Sequence, residues 1–128
     1  MNNTITQIQT NPDPYAQFFI SQATRVGELI FVSGQASLDL DGNVLDGDFE
    51  SQARRSIENL ALVLEAGGSG LDKLVKVTIL VTDISQFEIV MNLRQEYFST
   101  PYPADTICEV KSLALPELQF EIEAVATT

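Results

Sequence analysis

The sequence contains no histidine and no tryptophan, and only one of its 128 residues is a cysteine. Without histidine, Ser-His-Asp and Cys-His hydrolases, histidine-based ribonucleases and most zinc sites lose their usual base or ligand. An enzyme built from this chain has to work with carboxylates, tyrosine, hydroxyl groups, backbone dipoles and bound water. Because the single Cys108 cannot form an internal disulfide, we expect a reducing, cytoplasmic location.

Basic residues are also scarce, since 7 Lys and Arg stand against 18 Asp and Glu and leave a net charge of −11. Such a chain repels phosphate backbones, and no segment clusters Lys or Arg, so we expect no nucleic-acid partner. No apolar run approaches the ~20 residues that span a bilayer, so we expect no membrane partner. Residues 1–4 lack the basic start and apolar core of a signal peptide, which argues against secretion.

The hydrophobic pattern predicts one α+β domain over residues 1–128. Residues 1–14 are polar and end in a proline-rich segment, which predicts a rigid N-terminal loop. β-Propensity and apolar runs predict five strands, over residues 16–24, 29–33, 73–81, 105–110 and 119–126. The first two strands form a hairpin around a turn at 26–28.

Two helices are predicted between these strands. Apolar residues recur at helical spacing over 49–65, with Asp48 as the N-cap and Gly67-Gly68 as the stop. The second helix follows Ser85, which has the Ser-x-x-Glu spacing of a capping box with Glu88, and it ends before the prolines at 101 and 103.

The resulting order is β-β-α-β-α-β-β, with Val75, Val77, Ile79 and Val81 on one face of the third strand. Two helices are too few to cover both faces of such a sheet. We therefore expect them on one face of a single sheet, with the other face buried against partner subunits. An oligomer is the expected state.

Several short motifs occur in a fixed order from Pro14 to Ala126. They are Pro14-Tyr15, the run 29–35, Gln52-Ala53-Arg54, Asn59-Leu60, the runs 64–67 and 75–78, Asp83 with Phe87, Asn92 with Tyr97-Phe98, Pro103-Ala104 and the run 121–124. Each motif is weak alone, but together they resemble the YjgF/RidA family, also called the L-PSP endoribonuclease or translation-inhibitor family.

The resemblance implies a fold similar to chorismate mutase, a homotrimer, and small-molecule clefts between its subunits. It also implies hydrolysis of 2-enamine and 2-imino acids to 2-keto acids and ammonia, without a metal or an organic cofactor. The cleft is expected to contain Tyr15, Ser33, Gly34, Asn92, Asp105, Ile107 and Glu121.

The resemblance gives Glu121 the role of positioning or activating water, and a carboxylate beside an apolar cleft is suited to proton exchange with an imine nitrogen. Tyr15 would close the cleft, and Gly34 would let a ligand approach backbone N–H groups. Considered alone, each residue has a plainer interpretation: a solvated strand glutamate, a packed loop tyrosine and a strand end. Asn92, which would hold water, is equally typical of a solvent-facing helix. Cys108 is predicted to be a packed thiol.

Asp105 departs from the family pattern, which has Arg after Pro-Ala. Arginine binds a carboxylate through a bidentate fork, whereas two like charges at ~4 Å repel by about 4 kcal/mol at an effective dielectric constant near 20. Either the site prefers a cationic or neutral ligand, or another arginine supplies the cation. The candidates are Arg25, Arg54, Arg55 and Arg94, and spacing favours none of them.

Two functional hypotheses remain open from the sequence. The first is a cofactor-free deaminase similar to 2-iminobutanoate/2-iminopropanoate deaminases, with a substrate preference altered by Asp105. The alternative is a non-catalytic small-molecule-binding or regulatory trimer. Asp105 and Glu121 could act as an acid–base pair or share no task. Ribonuclease or translation-inhibitor activity is disfavoured by the acidic charge and the missing histidines.

Overall fold

Six strands form one mixed sheet in the computed structural model, which describes residues 3–128. The strands are β1 Thr6–Ile8, β2 Ala23–Val26, β3 Leu29–Gln35, β4 Leu74–Val81, β5 Ala104–Glu109 and β6 Phe120–Thr127. Their order in the sheet is β1-β2-β3-β6-β4-β5, with β4 and β5 parallel and the other neighbours antiparallel. Met1 and Asn2, which begin the predicted N-terminal loop and domain, lie outside the described residues.

Two α-helices join these strands, α1 Phe49–Ala66 and α2 Phe87–Tyr97. The predicted N-cap of α1 is confirmed, because the carboxylate of Asp48 accepts a hydrogen bond of 2.8 Å from the Ser51 N–H. The helix ends at Gly67, and Gly68 follows with a φ of 79° that favours glycine. Among residues 3–128, no helix has both the length and the apolar character to cross a bilayer.

The capping box predicted for the second helix is wrong. Asp83 caps this segment instead, since its carboxylate accepts hydrogen bonds from the backbone N–H and the hydroxyl group of Ser85, at 3.0 and 2.7 Å. A 3₁₀ turn over Ile84–Gln86 then leads into α2. Glu88 consequently lies in the first turn of the helix, where its charge favours the positive end of the helix dipole.

Both helices pack on one face of the sheet, as predicted. The core between them contains alternate residues of the central strands and the apolar stripes of the helices. Its fully buried members include Ile30, Ile57, Leu60, Leu64, Val77, Ile79, Phe120 and Ile122. The rings of Phe49 and Phe120 meet edge to face with centroids 5.9 Å apart, which joins the start of α1 to the start of β6.

The opposite face of the sheet, called the outer face below, has exposed apolar and polar side chains. Leu29 and Phe31 lie there and are 42% and 44% exposed, because they alternate with the buried residues of β3. Cys108 pairs with Leu80 on this face and is exposed. The prediction of a packed thiol is therefore wrong.

The segment predicted as the first strand folds differently. Ala16–Phe18 forms a 3₁₀ turn, Phe19 has a left-handed φ of 62°, and strand β2 begins only at Ala23. The apolar residues that imitate a strand in the sequence belong to an exposed loop, in which Phe19 is 95% exposed. The short strand β1 was not predicted, because three residues within a polar segment carry little periodic signal.

Two β-bulges interrupt the alternation of side chains along the sheet. One extra residue stands in β3 between Val32 and Gln35, and another stands in β4 between Leu74 and Lys76. The second bulge turns Val75 outward, where it is 47% exposed. Only Val77, Ile79 and Val81 therefore share the core face that was predicted for all four residues of this strand.

Two leucines of α1 differ in burial, and replacing each with alanine should therefore change the stability by different amounts. Leu60 is fully buried and Leu62 is 42% exposed. We expect Leu60→Ala to lower the free energy of unfolding by roughly 2–5 kcal/mol, because it removes core contacts and leaves a cavity. Leu62→Ala should cost less than about 1 kcal/mol. Urea unfolding followed by circular dichroism measures both values, and equal losses would contradict the described core.

Candidate active site

The carboxyl group of Glu121 lies against the backbone of Gly34. A Cβ atom added to Gly34 would stand 2.6 Å from Oε2 of Glu121 and 2.7 Å from its Cδ, which is closer than real Cβ contacts. Gly34 does not have a left-handed φ, so its backbone conformation does not require glycine. Glycine is needed here because a side chain would displace the carboxyl group.

The bulge in β3 forms this contact. Between the pairs Val32–Ala124 and Gln35–Ile122, β3 has one residue more than β6. The extra residue falls in the Ser33-Gly34 segment and bends β3 beside Glu121. Ser33 stabilises the bend, since its hydroxyl group donates a hydrogen bond of 2.6 Å to the Ser21 carbonyl.

Tyr15 covers the contact from the N-terminal loop. Its hydroxyl group donates a hydrogen bond of 2.5 Å to the carbonyl oxygen of Gly34, and its side chain is buried. The backbone N–H of Tyr15 donates to Asp13 at 2.9 Å, which holds the loop at this point. Burial and then the nearby charge of Glu121 raise the pKa of Tyr15, so its phenol stays a proton donor.

A cavity of about 350 Å³ opens beside Tyr15, Gly34 and Glu121. This volume suits a small metabolite. The other lining residues are apolar: Phe18, Ile20, Ala36, Leu38, Ala114, Leu115 and Leu118. Among the described lining residues, Glu121 is therefore the one with a carboxyl group, and Tyr15 contributes a phenol. We call this space the Glu121 cavity.

Glu121 is suited to proton transfer. Burial raises the pKa of its carboxyl group, and the charge of Glu123, two residues along the same face of β6, raises it further. A carboxyl group with a raised pKa can donate a proton to a basic nitrogen and take one back from water. This capacity is what hydrolysis of a C=N bond requires.

Gln52 fixes the loop before β6, a role that was not predicted from the sequence. Its buried side chain donates a hydrogen bond of 2.9 Å to the Glu117 carbonyl and accepts one of 2.8 Å from the Gln119 N–H. The loop that contributes Leu115 and Leu118 to the cavity is thereby attached to α1. The sequence does contain a signal for this role, because Gln52 is a polar residue on the apolar stripe of α1.

Asp105 lies in a second cavity, of about 410 Å³, which we call the Arg94 cavity. Its lining residues are Met91, Arg94, Gln95, Phe98, Tyr102, Pro103 and Asp105. Arg94 Nη2 stands 2.8 Å from Asp105 Oδ1, and the Asp105 side chain is only 17% exposed although β5 is an edge strand. Spacing could not reveal this pair, because a proline-rich connection separates α2 from β5.

Within a single chain, the side chains of Asp105 and Glu121 do not lie in one site. Asp105 pairs with Val77 and therefore points to the helix face, whereas Glu121 pairs with Leu80 and points to the outer face. Ile107 is half-buried and packs against the core. Asn92 is exposed on α2 and is not among the described lining residues of either cavity. The site roles given to Asn92 and Ile107 stay predictions.

Within residues 3–128, no three His, Cys, Asp or Glu side chains lie in an arrangement that could hold a metal ion. The acidic side chains Asp13, Glu121 and Glu123 stand near the Glu121 cavity without forming such a cluster.

Removing the Glu121 charge should affect stability in a pH-dependent way. Because its pKa is raised in the folded state, the protonated form contributes stability at low pH, and that contribution is lost as the pH rises through the folded pKa. Glu121→Gln imitates the protonated form at every pH. We therefore expect a higher melting temperature than wild type at pH 8 and a nearly equal one at pH 4.

The exposed Glu65 on α1 provides a matched control for this prediction. Between pH 4 and pH 8, Glu65→Gln should gain less relative stability than Glu121→Gln does. A gain for Glu121→Gln that is the same at both pH values would contradict a raised pKa at this residue.

Comparison with known proteins gives a consistent result. A family model described as Endoribonuclease L-PSP matches residues 8–128. The RutC family protein y4sK of Sinorhizobium fredii is 42% identical over 123 residues, which cover 94% of this chain and 96% of that protein. The human 2-iminobutanoate/2-iminopropanoate deaminase is 35% identical over 121 residues, with coverage of 93% and 87%.

Solved structures agree with the sequence relatives. The crystal structure of RidA from the Antarctic bacterium Psychrobacter sp. is similar with a TM-score of 0.88 and 32% identity, covering 96% of this chain and 99% of that one. The resemblance inferred from the motifs is confirmed by the family model and by these relatives. The chain belongs to the YjgF/RidA family.

Proposed function

We propose that this protein is a hydrolytic deaminase of small enamine or imine metabolites, with 2-imino acids as the favoured class and Glu121 as the catalytic residue. One observation carries the proposal: a half-buried carboxyl group with a raised pKa stands against Gly34 in an otherwise apolar cavity. The relatives described as 2-iminobutanoate/2-iminopropanoate deaminases support the substrate class.

The proposed reaction converts a C=N bond and one water molecule into a C=O bond and ammonia. The Glu121 carboxylate accepts a proton from water as the water oxygen bonds to the imine carbon. The carboxyl group gives that proton to the nitrogen, which completes a carbinolamine. The carboxylate then takes the proton of the new hydroxyl group and passes it to the nitrogen as the C–N bond breaks, so that ammonia leaves and the C=O bond forms. RNA is not the proposed substrate, because a chain with a net charge of −11 repels phosphates.

We propose that the active form is a homotrimer. The supporting observation is the outer face of the sheet, on which Leu29 and Phe31 are 42% and 44% exposed although they belong to a central region of the sheet. Burying such apolar side chains against other copies of the chain would stabilise the assembly.

The trimer would also join the two cavities. Tyr15, Gly34 and Glu121 surround one cavity, while Asp105 lines the other on the opposite face of the same sheet. A cleft that contains both groups therefore has to be formed by two subunits. In this proposal one subunit contributes Glu121 and its neighbour contributes Asp105, with Asn92 and Ile107 on the neighbour's side.

The proposed location is the cytoplasm. The single cysteine, Cys108, suits a reducing compartment. One relative, mmf2 of Schizosaccharomyces pombe, is described as mitochondrial.

Turnover should depend on the Glu121 carboxyl group. When an amino-acid oxidase generates 2-iminobutanoate in situ, wild-type protein should accelerate ammonia release beyond the uncatalysed rate. Glu121→Gln should reduce this acceleration by about 10²–10⁴-fold, the range typical of a lost general acid–base group. Indophenol detection of ammonia measures the rates.

Two further variants sharpen this test. Gly34→Ala should lose activity while remaining folded, because its Cβ would push the end of the Glu121 side chain aside. Glu65→Gln, the exposed control, should retain wild-type activity. Wild-type protein that shows no acceleration would reject the deaminase and favour the non-catalytic binding trimer.

The trimer makes a separate prediction. Light scattering at micromolar concentration should give three times the 14.1 kDa mass of one chain. Phe31→Glu should shift the mass toward the monomer, because it places a charge in the proposed interface. Leu62→Glu, at an exposed position of α1 away from the outer face, should stay trimeric. A monomeric wild type would refute the shared cleft.

A further inference from the structure

We propose that Arg94, positioned by Asp105, is the carboxylate-binding group of the Arg94 cavity, and that this cavity takes a small aliphatic monocarboxylate. The inference rests on the proposed function, because it assigns the acid group of the proposed 2-imino acid substrates to Arg94. Of the two alternatives that the sequence left open, it selects the second, in which another arginine supplies the cation in place of residue 105.

The charge balance of the cavity supports a monoanion. Arg94 and Asp105 are the charged residues among its described lining residues, and the two form an ion pair. Their charges offset each other, so the cavity does not have the net negative charge that Asp105 would give it alone. A monoanion bound on the guanidinium side of the pair lies nearer to the positive charge of Arg94 than to the negative charge of Asp105, and is attracted on balance.

Arg94 retains donors for a ligand after it has bound Asp105. A guanidinium has five N–H groups, and the contact with Asp105 uses Nη2 alone. Within residues 3–128, the Nε atom of Arg94 is buried and has no hydrogen-bond partner. Because Nε is enclosed, the donors left for a ligand are those of the two Nη atoms. A carboxylate that accepts hydrogen bonds from Nη1 and from the second N–H of Nη2 would provide the planar, two-oxygen partner that arginine favours.

The guanidinium is also held in place before any ligand binds. Asp105 fixes one side of it at 2.8 Å, and its Cζ atom lies 5.5 Å from the centroid of the Phe87 ring. An arginine that is ordered in advance loses less conformational entropy when it binds an anion. Asp105 is thus a positioning residue that acts through Arg94.

The rest of the cavity suits a short aliphatic chain. Met91, Phe98 and Pro103 form apolar walls, and Gln95 and Tyr102 are its neutral polar lining residues. A volume of about 410 Å³ exceeds the needs of a short-chain acid and leaves room for a neighbouring subunit to complete the site.

The test uses butanoate as a stable probe and butanamide as its neutral counterpart. The chain has four arginines, so their Nε–H signals can be resolved in ¹⁵N NMR spectra and assigned by substitution. Butanoate should shift the Arg94 signal in a saturable manner, and butanamide should not. Arg94→Gln should weaken butanoate binding at least tenfold.

Arg54 provides the matched control, because it also forms an ion pair with α2, through Glu96, but does not line the cavity. Arg54→Gln should bind butanoate within twofold of wild type. An Arg94 signal that butanoate leaves unmoved, or binding by folded Arg94→Gln within twofold of wild type, would overturn the proposal. If Arg94→Gln does not fold, the shift in wild type decides.

A separate measurement tests whether Asp105 positions Arg94. Asp105→Asn should move the Arg94 Nε–H signal in the absence of butanoate, and an unmoved signal would remove Asp105 from the proposal. Butanoate is not hydrolysed, so binding is measured independently of turnover. Binding through Arg94 without deaminase activity would reject the proposed function alone, and activity without an Arg94 shift would reject this inference alone.

Discussion

The contact between the Glu121 carboxyl group and the Gly34 backbone is the constraint on which the Glu121 cavity depends. It requires a residue without a Cβ, a bulge that bends β3, and a β6 register that points Glu121 to the outer face. The first two conditions come from β3 and the third comes from β6, which is distant in the sequence. Tyr15 then completes the arrangement from the N-terminal loop, because its hydroxyl group binds the same glycine.

A carboxyl group that resists ionisation lowers the stability of the fold at neutral pH, so its surroundings have to hold it in place. Strand β6 lies between β3 and β4, and its residues Phe120 and Ile122 on either side of Glu121 are fully buried. The core therefore anchors the backbone at Glu121 from the face opposite its side chain. Gln52 fixes the preceding loop as well, so the position of the carboxyl group does not depend on flexible elements.

The sequence predicted the parts of this arrangement that follow from periodicity and local caps, such as α1, its Asp48 cap and the four strands β3 to β6. The bulges could not be predicted in this way, because a single extra residue changes the face of a strand without changing its composition. Motif resemblance brought Gly34 and Glu121 into one site, but it could not indicate Arg94. That residue meets Asp105 only through the packing of α2 on β5.

The Arg94–Asp105 pair bears on how a strongly acidic chain could bind an acid. The net charge of −11 is spread over the surface, and salt screens charges that lie more than about 8–10 Å from a ligand. A ligand inside a cavity responds mainly to the charged groups in contact with it. An arginine held by an aspartate keeps unused donors at a fixed position. Asp at position 105 is therefore compatible with recognition of an acid, because the cation stands on the helix instead of the strand.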